Sequence, residues 1–143
     1  MDTVTVQDVM NAFPIMVDVE TSLVDVFKIV REKHLSHLLI VSGTKLVGII
    51  SKEDLLRKML DISQDTTGKN YNKIVLRTTP VATIMSTDLV VAHTQDKLKD
   101  AVDQMLSSNV HCIPVINAKE EPVGILNPMD LLKAYAAGFE NVA

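Results

Sequence analysis

The sequence predicts an α/β protein of the α+β kind, built from two tandem β-α-β-β-α repeats packed as one module. Three observations predict it. The chain of 143 residues matches itself at an offset of 75. Each copy alternates a helix-period apolar stripe with short apolar runs. Each copy also places turn-forming residues between two such runs and closes on a second helix. A chain of this length suits one compact domain or two halves sharing a core. Neither half carries enough core to stand comfortably alone, so the halves are expected to pack on each other.

The duplication rests on particular residues. Val6 falls on Val81, Met10 on Met85, Leu23 on Leu98 and Asp25 on Asp100. One extra residue in the turn "NAKEEP" moves the offset to 76, so Gly48 meets Gly124, Ile49 meets Ile125, Asp54 meets Asp130 and Leu55-Leu56 meets Leu131-Leu132. Fixed-period self-similarity marks a repeated structural unit.

Each element follows in order. A short opening ("VQDVM", "VATIM") leads to an extended apolar segment ("PIMVDV", "LVVAHT"). Leu23, Val26, Phe27 and Val30, matched by Leu98, Ala101, Val102 and Met105, recur at i, i+3, i+4, i+7 and predict a helix with one buried face. Thr21 and Asp96 precede these stripes and are expected as N-caps. The runs "LLIV" and "LVGII", and "CIPVI" and "VGIL", flank turn-rich "SGTK" and "NAKEE" and read as hairpins. Closing helices carry "EDLLRKML" and "MDLLKAYAAGF". The expected boundaries are 1–60 for the first repeat, 61–79 for a linker and 80–143 for the second repeat. The polar linker "DISQDTTGKNYNKIVLRTT" is expected to hold some extended structure around "IVL", and its length is unusual for a pure connection.

Composition narrows the function classes. Hydrophobic residues make up 47% and charged residues 22%, as in a globular protein. A net charge of −4 and only two Tyr, three Phe and no Trp argue against a nucleic-acid surface, which needs clustered cations or stacking rings. No apolar run approaches the roughly 20 residues that cross a bilayer. The start "MDTVTVQDVM" lacks a signal-peptide pattern. Cys112 is the sole cysteine, which excludes an intramolecular disulfide and suits a reducing interior. A cytoplasmic setting is expected.

The heptads "GIISKED" (48–54) and "GILNPMD" (124–130) share a glycine, aliphatics, a small polar residue and an aspartate three positions on. Together with the duplication, the strand "HCIPVI" and the opening "TIMSTDLVV", they make the chain resemble the CBS-domain pair, or Bateman module, over nearly its whole length. The resemblance implies two CBS repeats related by pseudo-two-fold symmetry, with clefts between the copies that bind AMP, ADP, ATP or S-adenosylmethionine. It implies a non-catalytic sensor that regulates a separate effector protein; with no effector domain evident, a stand-alone sensor is expected. No required cofactor and no metal are expected.

The chemistry of the first heptad fits that role. Gly48 lets another group approach the strand. Ser51 lies at a strand-to-helix junction, where unpaired N–H groups and the helix dipole favour phosphate. Asp54 is an acceptor suited to vicinal ribose hydroxyls. The resemblance assigns phosphate to the hydroxyl and ribose to the acid. A helix terminus contributes roughly 0.3 to 1 kcal/mol, against about 8 kcal/mol for micromolar affinity. The remainder must come from burying adenine and from cations. Ile50, Ile113 and Val115 are candidate base-lining positions. Lys52, Arg77 and His111 are candidate cations, with His111 three residues before Pro114 where the family often carries a basic residue. The second cleft would use Asp130 with Asn127 and His111, and Pro114 is a further candidate nucleotide-binding position.

Plainer readings stand beside these. Serine followed by an acid three residues on resembles a capping box, and Asn127-Pro128 is a good helix start without any ligand. His34 and His37 lack the further ligands of a metal shell. Cys112 beside His111 points to the opposite face of a strand and reads as a buried structural thiol. Glu53-Asp54 has no nucleophile beside it, so no active site is expected. The closing helices carry wide apolar faces (Leu55, Leu56, Met59, Leu60; Leu131, Leu132, Tyr135, Phe139), which points to a homodimer. The alternative function is an interaction scaffold with vestigial sites, supported by Asn127 and by a lack of arginine near the sites.

Overall fold

The computed structural model describes residues 3–65 and 69–138, with side chains described throughout except at 63–65 and 69–72. In chain order the elements are α1 (Val6–Val9), β1 (Met16–Asp18), α2 (Leu23–Glu32), β2 (His37–Ser42), β3 (Lys45–Ser51), α3 (Lys52–Asp65) and α4 (Lys69–Thr78). After a 3₁₀ turn at Val81–Thr83 come β4 (Ala92–His93), α5 (Leu98–Ser108), β5 (Ile113–Ile116), β6 (Pro122–Leu126) and α6 (Pro128–Ala136). The β-α-β-β-α order expected of each repeat is present twice.

The strands form two three-stranded sheets, β1-β2-β3 and β4-β5-β6. β1 pairs parallel with β2 (Val17 opposite Ile40), and β4 pairs parallel with β5 (Ala92 opposite Val115). A parallel pair requires a crossover, and α2 and α5 supply it. β5 and β6 are antiparallel, with Pro114 opposite Ile125 and Val115 opposite Gly124. Pro114 sits on this central strand without a donor to offer. Both polar backbone groups of Ile125 bond to Asn11, at 2.8 and 2.9 Å. The Pro114–Ile125 pair is therefore the non-hydrogen-bonded kind. The missing N–H points to the side where β4 reaches only Val115 and Ile116. At the equivalent position of the first repeat, Leu39 donates its N–H to the Ile15 carbonyl at 3.3 Å.

The chain divides into two compact units. One comprises Met1–Pro14, Thr44–Leu46 and Val90–Ala143; the other comprises Ile15–Gly43 and Val47–Leu89. Each unit thus takes its opening segment from the other repeat. In the first unit, Val6 N–H donates to the Asp96 carbonyl (2.9 Å), Gln7 N–H to Thr94 (3.1 Å), and Leu98 N–H to Val4 (2.9 Å). In the second unit the same three bonds recur as Val81 to Thr21 (2.7 Å), Ala82 to Val19 (3.2 Å), and Leu23 to Thr79 (2.9 Å). Apolar side chains follow the backbone. Val4 and Val6 join Leu98, Ala101, Met105, Ile113, Val115 and Leu126 in one core. Val81 joins Leu23, Val26, Val30, Leu38, Ile40, Ile50 and Leu55 in the other.

Two expectations need correction. The N-caps lie one residue later than expected, at Ser22 and Lys97. Ser22 Oγ accepts from Asp25 N–H at 3.3 Å, Thr21 gives its carbonyl to Val81, and the Asp96 carboxylate accepts from His93 N–H at 2.9 Å instead of capping a helix. The segment around "IVL" is helical, within α4, where extended structure was expected. Its three apolar residues do not alternate across a sheet. Val75 and Leu76 pack against the core of the second unit while Ile74 is exposed. Packing on α2 overrides the β-branched composition.

Candidate functional site: two strand-to-helix junctions

β3 runs directly into α3. Ser51 Oγ accepts the Asp54 N–H at 3.0 Å, and the Lys52 N–H is taken by the Ser36 carbonyl at 2.8 Å. The serine therefore caps the helix. Asp54 does not fold back to complete a capping box. Its Oδ1 accepts from Arg57 Nη1 at 3.2 Å, with the Asp54 side chain 52% exposed. An exposed pair at i, i+3 contributes only about 0.3–0.5 kcal/mol, so it holds the carboxylate loosely. Arg57 overturns the expected lack of arginine near the sites. Its i, i+3 spacing from Asp54 on a predicted helix was the signal that could have found it.

The second junction is closed. Asn127 Oδ1 accepts from Asp130 N–H at 3.0 Å, and Asp130 Oδ2 accepts from Asn127 N–H at 2.9 Å, with Pro128 at the first helical position. This is a reciprocal capping box. The matched acids of the two heptads differ in what they face: Asp54 meets a cation, and Asp130 meets its own helix start.

Gly48 and Gly124 admit a neighbour, and in both cases it is a methionine. A Cβ on Gly48 would meet the Met85 thioether and lie 2.8 Å from Met85 Cγ and 3.2 Å from its Cβ. A Cβ on Gly124 would meet the Met10 thioether and lie 3.0 Å from the Asn11 carbonyl oxygen. The backbone fixes both contacts: Ile49 and Ser86 exchange bonds at 2.8 and 3.0 Å, as Ile125 and Asn11 do. The repeat offset pairs Met10 with Met85 but does not show which strand each one meets.

The remaining candidates separate by unit. Ile50 in one core, and Ile113 and Val115 in the other, are fully packed among apolar side chains. Arg77 is exposed in the last turn of α4. Lys52 lines a groove between α2 and α3 with Arg31 and His34. His111 is exposed just before β5, while Cys112 beside it is 6% exposed. Burial, assisted by the negative charge of Asp130, pushes the Cys112 thiol up to about 12. That thiol is a poor nucleophile. Pro114 is buried within β5. Among the described residues, no group of three or more His, Cys, Asp or Glu could hold a metal ion.

The fold and the doubled heptads agree with the comparisons. The family model for the CBS domain matches residues 6–61 and again 81–137. The chain belongs to the CBS domain family and carries two CBS repeats. The protein MJ1232 of Methanocaldococcus jannaschii is 27% identical over 78% of this chain, which spans 33% of that protein's length. Among solved structures, AcuB from Vibrio cholerae is 27% identical, with a TM-score of 0.78 over 96% of this chain and 94% of that one. CBSX2 in complex with AMP is 25% identical, with a TM-score of 0.74 and coverage of 93% and 96%. The CBS domain pair of MJ0100, in complex with 5-methylthioadenosine and S-adenosyl-L-methionine, matches the fold at 23% identity and a TM-score of 0.76 over 94% and 98%. No described helix is long and apolar enough to cross a membrane.

Proposed function

We propose that this chain is a regulatory sensor that binds an adenosyl ligand at the β3–α3 junction, with Ser51 directed to phosphate and Asp54 to ribose. AMP, ADP, ATP and S-adenosylmethionine are the candidate ligands. The observation that carries the reading is the open first junction, where a hydroxyl, a half-exposed carboxylate and a guanidinium stand within two helical turns. The complex of CBSX2 with AMP supports the ligand class. Arg57 supplies the cation that a phosphate needs once Asp54 turns to the sugar. Gly48 and Lys52 complete the first site, with Ile50 in the core behind it; His111, Asn127 and Asp130 form a weaker second one, backed by the buried Ile113 and Pro114, because its capping box must open before either polar group meets a ligand.

The chain performs no catalysis on this reading. It acts in the cytoplasm as a homodimer whose packing the ligand biases, and a separate effector protein reads the change. Outward Leu60 on α3 and outward Leu132 and Tyr135 on α6, each more than half exposed, support the dimer; Phe139 lies outside the described residues. The closed Asn127–Asp130 box favours the rival reading, a non-catalytic scaffold with vestigial sites.

Calorimetry with the four ligands tests the proposal. A saturable heat that Asp54→Ala abolishes, with the apo unfolding transition unchanged, is the expected result. No heat and no thermal shift at millimolar ligand would leave the scaffold.

A further inference from the structure

The groove between α2 and α3 sets three basic side chains against the edge of the core. It encloses about 350 Å³ and is lined by Phe27, Val30, Arg31, His34, Lys52, Leu55 and Leu56. All seven lie in the Ile15–Leu89 unit. Val30 and Leu55 form an apolar floor, at 5% and 1% exposure, and Phe27 and Leu56 form the walls. Arg31 Cζ stands 5.5 Å from the centroid of the Phe27 ring, which parks the guanidinium beside that wall. His34 adopts a left-handed backbone (φ 53) just past the C-cap Lys33.

Three basic side chains therefore share one groove in a chain of net charge −4. No carboxylate lines it, and among the described residues the Asp54–Arg57 and Lys99–Asp103 ion pairs lie elsewhere. The dipole of α2 explains a cation at its C-terminal end, as at Arg31. It does not explain Lys52, which opens α3, where a positive charge is disfavoured.

We propose that this groove binds a free amphipathic carboxylate, with an aliphatic body of on the order of eight carbons. The head group lies among Arg31, His34 and Lys52, and the tail lies on Val30, Leu55 and Leu56. Phe27, Val30, Leu55 and Leu56 present no side-chain hydrogen-bonding group for a ribose or a base, so the site selects an apolar body with a single anionic head. It shares Lys52 with the nucleotide reading but is otherwise separate, since neither Ser51 nor Asp54 lines it.

Methyl and amide NMR of the full chain, titrated with octanoate, tests this. Saturable shifts at Val30, Leu55 and Leu56 are expected, with octanol and butyrate each at least about tenfold weaker. Arg31→Ala weakens octanoate about tenfold, and Leu56→Glu, at a residue 41% exposed and so tolerant of change, removes the shifts while the response to AMP is unaltered. Octanol binding as well as octanoate, or shifts that survive Leu56→Glu in a variant with native circular dichroism, would overturn the proposal. So would the same resonances moving on dilution without octanoate, which would show a second copy covering the groove. Binding to phosphatidylglycerol vesicles with no response to monomeric octanoate would likewise reject it in favour of a lipid surface.

Discussion

Placing a methyl group on Gly48 sets it against Met85 in a way that the methionine cannot fully evade. The thioether can swing aside, but Met85 Cβ lies 3.2 Å from the new carbon and Cγ lies 2.8 Å away. The neighbouring backbone is held by the Ile49–Ser86 pair at 2.8 and 3.0 Å. Gly48→Ala is therefore overpacking at a site that relaxes only through strand displacement, and it should destabilise by about 1–3 kcal/mol. Met85 is half-buried, so Met85→Ala alone should cost about 1–2 kcal/mol, below the range for a fully buried methionine. In the double variant the methyl occupies space that the methionine vacates, and the combined loss should fall about 1 kcal/mol short of the sum. Urea unfolding reads each value as a change in midpoint at constant m. Additivity within about 0.3 kcal/mol would refute the contact. Gly124→Ala should fall in the upper half of the same range, because there the obstacle includes the Asn11 carbonyl at 3.0 Å, which is backbone.

Two further predictions concern titration. A thiol raised from 9.0 to about 12 holds about a thousandth of the ordinary thiolate at neutral pH, so iodoacetamide should label native Cys112 about a thousandfold more slowly than the urea-unfolded chain; rates within tenfold would contradict its burial. Glu121 is held below its usual 4.5 by the Asn117 amide at 3.0 Å and by the Thr44 hydroxyl. The unfolded chain therefore protonates this acid first, and the stability it contributes is present above about 4.5 and lost as pH falls through the lower folded value. Glu121→Gln should flatten that acid limb, and an unchanged pH profile of thermal unfolding would rule the contribution out.

The sequence carried the repeats and their elements because two periods, one helical and one alternating, recur at a fixed offset. It carried less where two residues compete for one task. Thr21 and Ser22 can each cap α2, and the choice falls to Ser22 because the Thr21 carbonyl pairs with Val81, a residue 60 positions away. Local composition cannot express that pairing. "IVL" read as extended for the same reason, since only packing against α2 makes it a helix. Gly48 was legible as a point of close approach, but Met85 as the approaching group was not. Asp54 and Asp130 occupy the same letter of a shared heptad, yet one reaches forward to Arg57 and the other back to Asn127. Serine and asparagine both accept the N–H three residues on, so the difference lies in whether the cation one turn further along the helix pairs with the acid. Arg57 has Lys133 at the matched place, and among the described residues no Lys133–Asp130 pair forms.

The exchange of opening segments has a consequence for how the chain is made. A ribosome releases the N-terminus first, so residues 15–89 are all present when one compact unit can close. Val4, Val6 and Met10 have no such partner at that moment, because β5, β6 and α5 are still unsynthesised. They must wait, apolar and uncovered, until the last third of the chain emerges. Cutting at the boundary between the repeats would not yield two smaller proteins, since each fragment would keep the other unit's opening segment and lack its own.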